Sequence, residues 1–145
     1  MPQRTLRIDH PIDAVWERLQ LLETWEGIGG MDELHDPTHG PDGALRGFRY
    51  ALHTPLGTIH DSADVTSQNP VMHVRTASKG VAVTIDLELS AGAVGQTIAD
   101  FRIDAHATSF LASPLAATLR HTLESGIVRE SDRMVERLEA TDVGE

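Results

Sequence analysis

Across residues 44–107 the chain runs in a two-residue period, interrupted only by short clusters of turn-forming residues. This pattern constrains the fold more than any other feature. Side chains on an extended strand point alternately to opposite faces. Over residues 81–89, Val81, Val83, Ile85, Leu87 and Leu89 share one face, while Thr84, Asp86 and Glu88 share the other. Residues 96–107 repeat the pattern, with Phe101, Ile103 and Ala105 set against Asp100, Arg102 and Asp104. Residues 44–53, 58–66 and 71–77 also read as strands, 5–9 as a first strand, and 31–35 as a weaker one. Short turns at Pro55-Leu56-Gly57, Ser67-Gln68-Asn69-Pro70 and Ser78-Lys79-Gly80 join them. Connections this short imply antiparallel neighbours. Residues 36–43, Asp36-Pro37-Thr38-His39-Gly40-Pro41-Asp42-Gly43, read as a loop.

One apolar and one charged face mean a sheet covered on one side only. The cover comes from the end of the chain. Leu115, Leu119, Leu123, Ile127, Met134 and Leu138 form one stripe at helical spacing. Ser113 suits an N-cap and Pro114 a first-turn position. A helix over 114–139 would be about 39 Å long at 1.5 Å per residue, enough to cross a sheet. Gly126 in its middle leaves two readings open, close packing against the sheet or a breathing point beside a ligand. Near the other end, Ile12, Val15, Trp16 and Leu19 recur at helical spacing after Pro11, which suits the first helical position. A second short helix over 21–25 ends at Gly27-Ile28-Gly29-Gly30.

The 145 residues fit one α+β domain over 1–140 with a polar tail at 141–145. The net charge of −10 opposes binding to a phosphate backbone or an anionic membrane, so no nucleic-acid partner is expected. The chain has no cysteine, which removes disulfides, thiolate nucleophiles and zinc–thiolate sites. No run approaches the roughly 18 apolar residues of a membrane span, and the N-terminus lacks a signal-peptide pattern. A cytoplasmic location is the expectation. No cofactor motif, nucleophile elbow or phosphate loop is present.

The order of strand, two short helices, about six strands and one long helix resembles the START-like (SRPBCC) superfamily. The similar local stretch is Leu6-Arg7-Ile8-Asp9-His10-Pro11-Ile12-Asp13-Ala14-Val15-Trp16, with Trp25, the Gly27–Gly30 loop, Pro41-Asp42-Gly43 and Gly126 following. The chain looks most like two branches, the polyketide cyclases/dehydrases and the accessory proteins related to carbon monoxide dehydrogenase. His10 stands where the family usually has Ala or Ser. The resemblance implies the helix-grip, birch-pollen-allergen-like fold, with about seven antiparallel strands curved around the last helix, so residues 31–35 must supply the seventh. It also implies a pocket between sheet and helix.

Strand parity says which residues would line that pocket. Phe48, Tyr50 and Leu52 lie on one strand, and Met72 and Val74 on another. Val83, Ile85 and Leu87 follow, then Phe101 and Ile103, with Leu119, Leu123 and Ile127 facing them from the helix. The same residues would equally make a plain core. Trp25 is added from the resemblance. On residues 58–66 the apolar set Ile59, Ala63 and Val65 favours Asp61 inward and His60 outward. Thr76 and Thr97 share inward parity. A buried Tyr50 phenol needs a partner, and Tyr50 and Asp61 are the two residues able to serve as proton donor or acceptor. Arg46 and Arg49 are potential partners for Asp61. His35 and His39 resemble a metal pair only in spacing, and no metal site is expected. His53, His60, His73 and His106 carry outward parity for the most part. The leading functional reading is binding of a hydrophobic small molecule, such as a lipid, isoprenoid or polyketide-like compound. A cyclase/aromatase-type enzyme using the same pocket, or an accessory protein with a homodimer or protein partner, are the alternatives.

Overall fold

A computed structural model describes residues 3–54, 57–78 and 80–140; the 141–145 tail and the turn residues Pro55, Leu56 and Lys79 lie outside it. The chain opens with β1 (Gln3–Ile8), α1 (Ile12–Arg18) and α2 (Leu22–Trp25), then a 3-10 turn over Ile28–Gly30. Six strands follow: β2 (Met31–His39), β3 (Leu45–Thr54), β4 (Gly57–Gln68), β5 (Val71–Ser78), β6 (Val81–Ala91) and β7 (Thr97–Ala107). A 3-10 turn over Phe110–Ala112 leads into α3 (Ser113–Glu139). The strands form one sheet in the order β1-β7-β6-β5-β4-β3-β2, and every pairing is antiparallel.

The sheet buries the face that the alternation marks. Ile85, Leu87, Phe101 and Ile103 are each 1% exposed, while Glu88, Asp100 and Arg102 on the other face are exposed. α3 buries Leu123, Ile127, Met134 and Leu138, and also Ala116, Gly126 and Ser131. It runs unbroken through Gly126, with no kink there. Leu115 and Leu119 at its N-terminal end are not fully buried.

Three local expectations are corrected. The loop expected over 36–43 is strand as far as His39. β2 is the sheet edge, where Pro is tolerated, and the strand is irregular: Glu33 and Asp36 have φ of 55° and 53°, and its pairing to β3 shifts register. Ser113 is the first helical residue of α3, not its N-cap. The preceding 3-10 turn places Ala112 at the cap, and no side chain caps the helix. Pro11 caps α1 from outside in an extended conformation, rather than occupying its first turn.

α3 does not lie evenly over the sheet. It packs on β7 and β1, then on the Ile28–Gly30 turn, α2 and one side of β6. Seven strands at roughly 4.8 Å spacing span about 29 Å, whereas a helix with its side chains is only about 10–12 Å wide. The β3–β5 half must be closed by sheet curvature and by the α1–α2 segment. Leu87→Ala, at the covered centre, is expected to lower unfolding free energy by about 2–5 kcal/mol. Val94→Ala, in the exposed β6–β7 turn, should stay within about 0.5 kcal/mol of wild type. Urea unfolding of both variants checks the contrast.

Candidate helix-grip interior

The inner wall is mostly apolar, with one group of neighbouring polar side chains on β3, β4 and β5. Tyr50 on β3 pairs directly with Asp61 on β4, so their side chains share the inner face. Tyr50 is 2% exposed, and its hydroxyl hydrogen-bonds the side chain of Thr76 on β5. Burial raises the phenol pKa above 10.0, the Thr76 bond lowers it, and the Asp61 charge raises it further. The phenol therefore stays protonated at neutral pH and acts as a donor, not a base. Asp61 is half-buried and accepts the Ser62 backbone N–H at 2.8 Å. Arg46 reaches Asp42 at 3.7 Å instead, and Arg49 is exposed on the opposite face, so neither meets the expectation of a partner for Asp61.

The other inward residues sort by depth. Phe48, Met72, Val74, Ile85, Phe101 and Ile103 are at most 2% exposed. Trp25 is fully buried at the foot of the core, where its indole N–H donates to the Leu19 carbonyl at 2.8 Å. Leu52, Ile59, Asp61 and Leu119 keep partial exposure, and Val83 (9%), Thr76 (8%) and Ile127 (8%) keep a little. Leu52 pairs with Ile59 beside the β3–β4 turn, and Thr76 pairs with Val83 beside the β5–β6 turn. Residual exposure on the inner face is thus gathered at the end where α3 begins. Phe110 and Leu111 stand almost fully in solvent just before that helix start. Thr97, also inward as expected, is bound to the His10 carbonyl at 2.7 Å and belongs to the packing at the opposite end.

α3 is tied down on one side. Arg4 on β1 donates to Ser131 Oγ and Asp132 Oδ1, both at 2.8 Å. Glu139 accepts the Asp9 backbone N–H at 2.8 Å, and Arg137 donates to the Thr24 and Glu26 carbonyls. Arg120 donates to Asp104 and to the Ala105 carbonyl on β7. These ties all run toward β1, β7 and the α2 segment, and none among the described residues runs to β3–β5.

Glu130 escaped sequence reasoning. Its Oε1 accepts the Gly29 backbone N–H at 2.9 Å and joins the middle of α3 to the glycine turn. Gly29 has φ of 65°, and a Cβ there would stand 3.1 Å from Ile103 and 3.3 Å from Ile85, so the turn presses against the sheet. A Cβ on Gly126 would stand 3.2 Å from Glu130 Oε2. The mid-helix glycine therefore gives this carboxylate room. The i,i+4 spacing of Gly126 and Glu130 is the only signal the sequence carries, and it is ordinary on any helix.

Of the histidines, His53, His60 and His106 are exposed, and His73 bonds Asp86 on the outer face. His35 and His39 both lie on β2. His35 meets the Glu33 carbonyl and His39 the Gln20 carbonyl.

No protein-family model matches the sequence, and no curated protein matches it. Solved structures do. A START superfamily protein from Mycobacterium smegmatis has a TM-score of 0.69 at 9% identity, covering 94% of this chain and 97% of that one. The ZhuI aromatase/cyclase from Streptomyces sp. R1128 has a TM-score of 0.60 at 15% identity, over 94% and 89% of the two chains. The di-domain ARO/CYC StfQ from the steffimycin biosynthetic pathway has a TM-score of 0.63 at 12% identity; the match covers 95% of this chain but 48% of that one.

Burial raises the Glu130 pKa above the ordinary carboxylate value of 4.5, against the lowering effects of the Gly29 bond and the nearby Arg129 and Arg133. The folded state thus holds this proton more firmly than the unfolded chain does. The resulting stability is complete below about pH 4.5 and is lost as pH rises through the folded value. Glu130→Gln keeps an acceptor for Gly29 and removes the titration. Its stability relative to wild type is expected to rise between about pH 4 and about pH 8. Urea unfolding at both pH values checks this, and a constant gap contradicts it.

At identities this low the likeness is one of fold, and it agrees with the strand order, the seven antiparallel strands and the long terminal helix: the chain has the START-like helix-grip fold.

Proposed function

We propose that this protein binds a hydrophobic small molecule between α3 and the β3–β6 inner wall. The guest would be lipid-, isoprenoid- or polyketide-like and would carry an oxygen that accepts a hydrogen bond from Tyr50. One observation carries the reading: a protonated, buried phenol paired with Thr76 and set opposite Asp61, inside a wall that is mostly apolar. Pockets gain orientation and specificity from a few polar groups of this kind. Two further features support it. The polar ties of α3 run toward β1, β7 and the α2 segment, so the flank beside Tyr50 can yield. The residual exposure at Leu52, Ile59, Thr76 and Val83 gathers at one end, where an apolar guest would enter.

A cyclase-type enzyme is the second reading, favoured by the same pair. A neutral phenol beside a carboxylate can donate one proton and accept another, and two of the similar structures are described as aromatase/cyclase proteins. Fold alone does not carry catalysis across, so binding ranks first.

Native mass spectrometry of freshly purified protein tests the proposal. A co-purifying apolar species, lost on organic extraction and restored by adding the extract back, is the expected result. Tyr50→Phe should weaken rebinding by about tenfold, since a hydrogen bond in a dry site contributes on the order of 1.4 kcal/mol. Failure of every apolar extract and fatty-acid probe to bind would mark the interior as a plain core.

A further inference from the structure

A separate groove lies outside the grip interior, on the flank of α1, where the β2–β3 loop and the β4–β5 turn meet it. Its volume is about 620 Å³, within the range of small-molecule sites. One wall is the half-buried Trp16 side chain. His39 stands on another side. Its Nε2 lies 3.2 Å from the Gln20 carbonyl oxygen. A carbonyl only accepts, so Nε2 carries the proton and Nδ1 of the neutral ring is an acceptor. Ser67 is part of the lining, and its Oγ is buried with no hydrogen-bond partner among the described residues. Burying a hydroxyl unpaired is unfavourable, and native structures rarely leave one so. In the observed rotamer this oxygen is closed off from the groove that Ser67 lines; rotation to another of the three staggered χ1 positions is what would present it to a ligand atom there.

The charges of the lining select the guest. Glu17 is exposed on one side and Asp42 on another, and no lysine or arginine is among the described residues that line the groove. Asp42 is partly offset by Arg46 at 3.7 Å and by the Ala44 backbone N–H, whereas Glu17 is exposed. A phosphate or carboxylate ligand would meet like charge and find no cation in the lining. A flat ring can lie on the indole, a positive ring system gains a cation–π attraction there, and ring N–H groups can donate to His39 Nδ1 and to the serine oxygen.

We propose that the groove bounded by Trp16, His39 and Ser67 is a second ligand site, distinct from the helix-grip interior, for a flat nitrogen heterocycle or aryl amine that is cationic or uncharged.

An NMR titration tests it with three probes: 2-aminobenzimidazole, tryptamine and the anionic indole-3-acetate. The two indole N–H resonances serve as reporters. Trp16 borders the groove, whereas Trp25 is fully buried with its N–H bonded to Leu19. The expected result is a saturable shift of the Trp16 signal with the first two probes, at a midpoint in the millimolar range or tighter, and no shift of Trp25. Indole-3-acetate should bind at least about tenfold more weakly, because of the like charge it meets. Glu17→Gln, on an exposed position that the fold does not depend on, should weaken the cationic probes about threefold and leave the unfolding midpoint unchanged. Ser67→Ala should also weaken them while leaving stability equal or higher, since it removes an unpaired hydroxyl. Equal affinity for indole-3-acetate, no saturable shift at Trp16, or shifts that appear at Trp25 and the Tyr50 wall would each overturn the proposal. Loss of guest binding in the interior leaves this titration unaffected, so the two sites are tested independently.

Discussion

A seven-stranded sheet with one apolar face has to hide that face along its whole width, and a single helix is too narrow to do so. Everything else in this protein follows from that mismatch. The sheet curls, α1 and α2 plug one end, and α3 takes the β1–β7–β6 half. Trp25, Ile28 and Met31 fill the foot of the core, each 3% exposed or less. The β3–β5 half of the wall lies beside the flank of α3 rather than beneath it, and it is on that half that Tyr50 and Asp61 sit.

The fastening of α3 follows the same division. Arg4, Arg137, Glu139 and Glu130 grip its C-terminal half through backbone groups, a serine and the glycine turn. At the N-terminal end the main polar tie is Arg120, to β7. No side chain caps the helix there, and Leu115 and Leu119 keep part of their surface in water. A helix anchored at one end and along one side can move at the other with little loss of contact, since local opening follows the least packed segments. That is the mechanical property the proposed binding would require. It leaves fold specificity intact, because the register of β6 and β7 beneath it is set by eleven consecutive cross-strand partners.

The strands were legible because burial on one face forces a period of two, and a slip of one residue would expose every apolar side chain. The stripe from Leu115 to Leu138 was legible for the corresponding reason on a helix. Asp61 inward and His60 outward also followed from parity alone, as did the inward threonines. Where no face is buried, the pattern falls silent. β2 lies at the sheet edge with most of its residues exposed, so residues 36–39 looked like loop although they belong to the strand that pairs with β3. Ser113 had the right chemistry for a cap, yet a 3-10 turn, whose packing against Gly80 is a tertiary contact, leads into the helix one residue earlier and makes Ser113 its first helical residue.

By itself, then, the sequence determined the apolar face of each central strand, the antiparallel sense of the strands, and the presence of a long covering helix, because these depend on hydrophobic period and short turns; the seventh strand, at residues 31–35, came from the family resemblance. Tertiary structure decided which half of the sheet that helix covers, that Tyr50 bonds Thr76 while Arg46 meets Asp42 and not Asp61, that Glu130 reaches the glycine turn, and that Trp16, His39 and Ser67 border one groove. Those are meetings between residues far apart in the chain. Their distances are set by how the sheet curls and where the helix lands, and no local spacing encodes either.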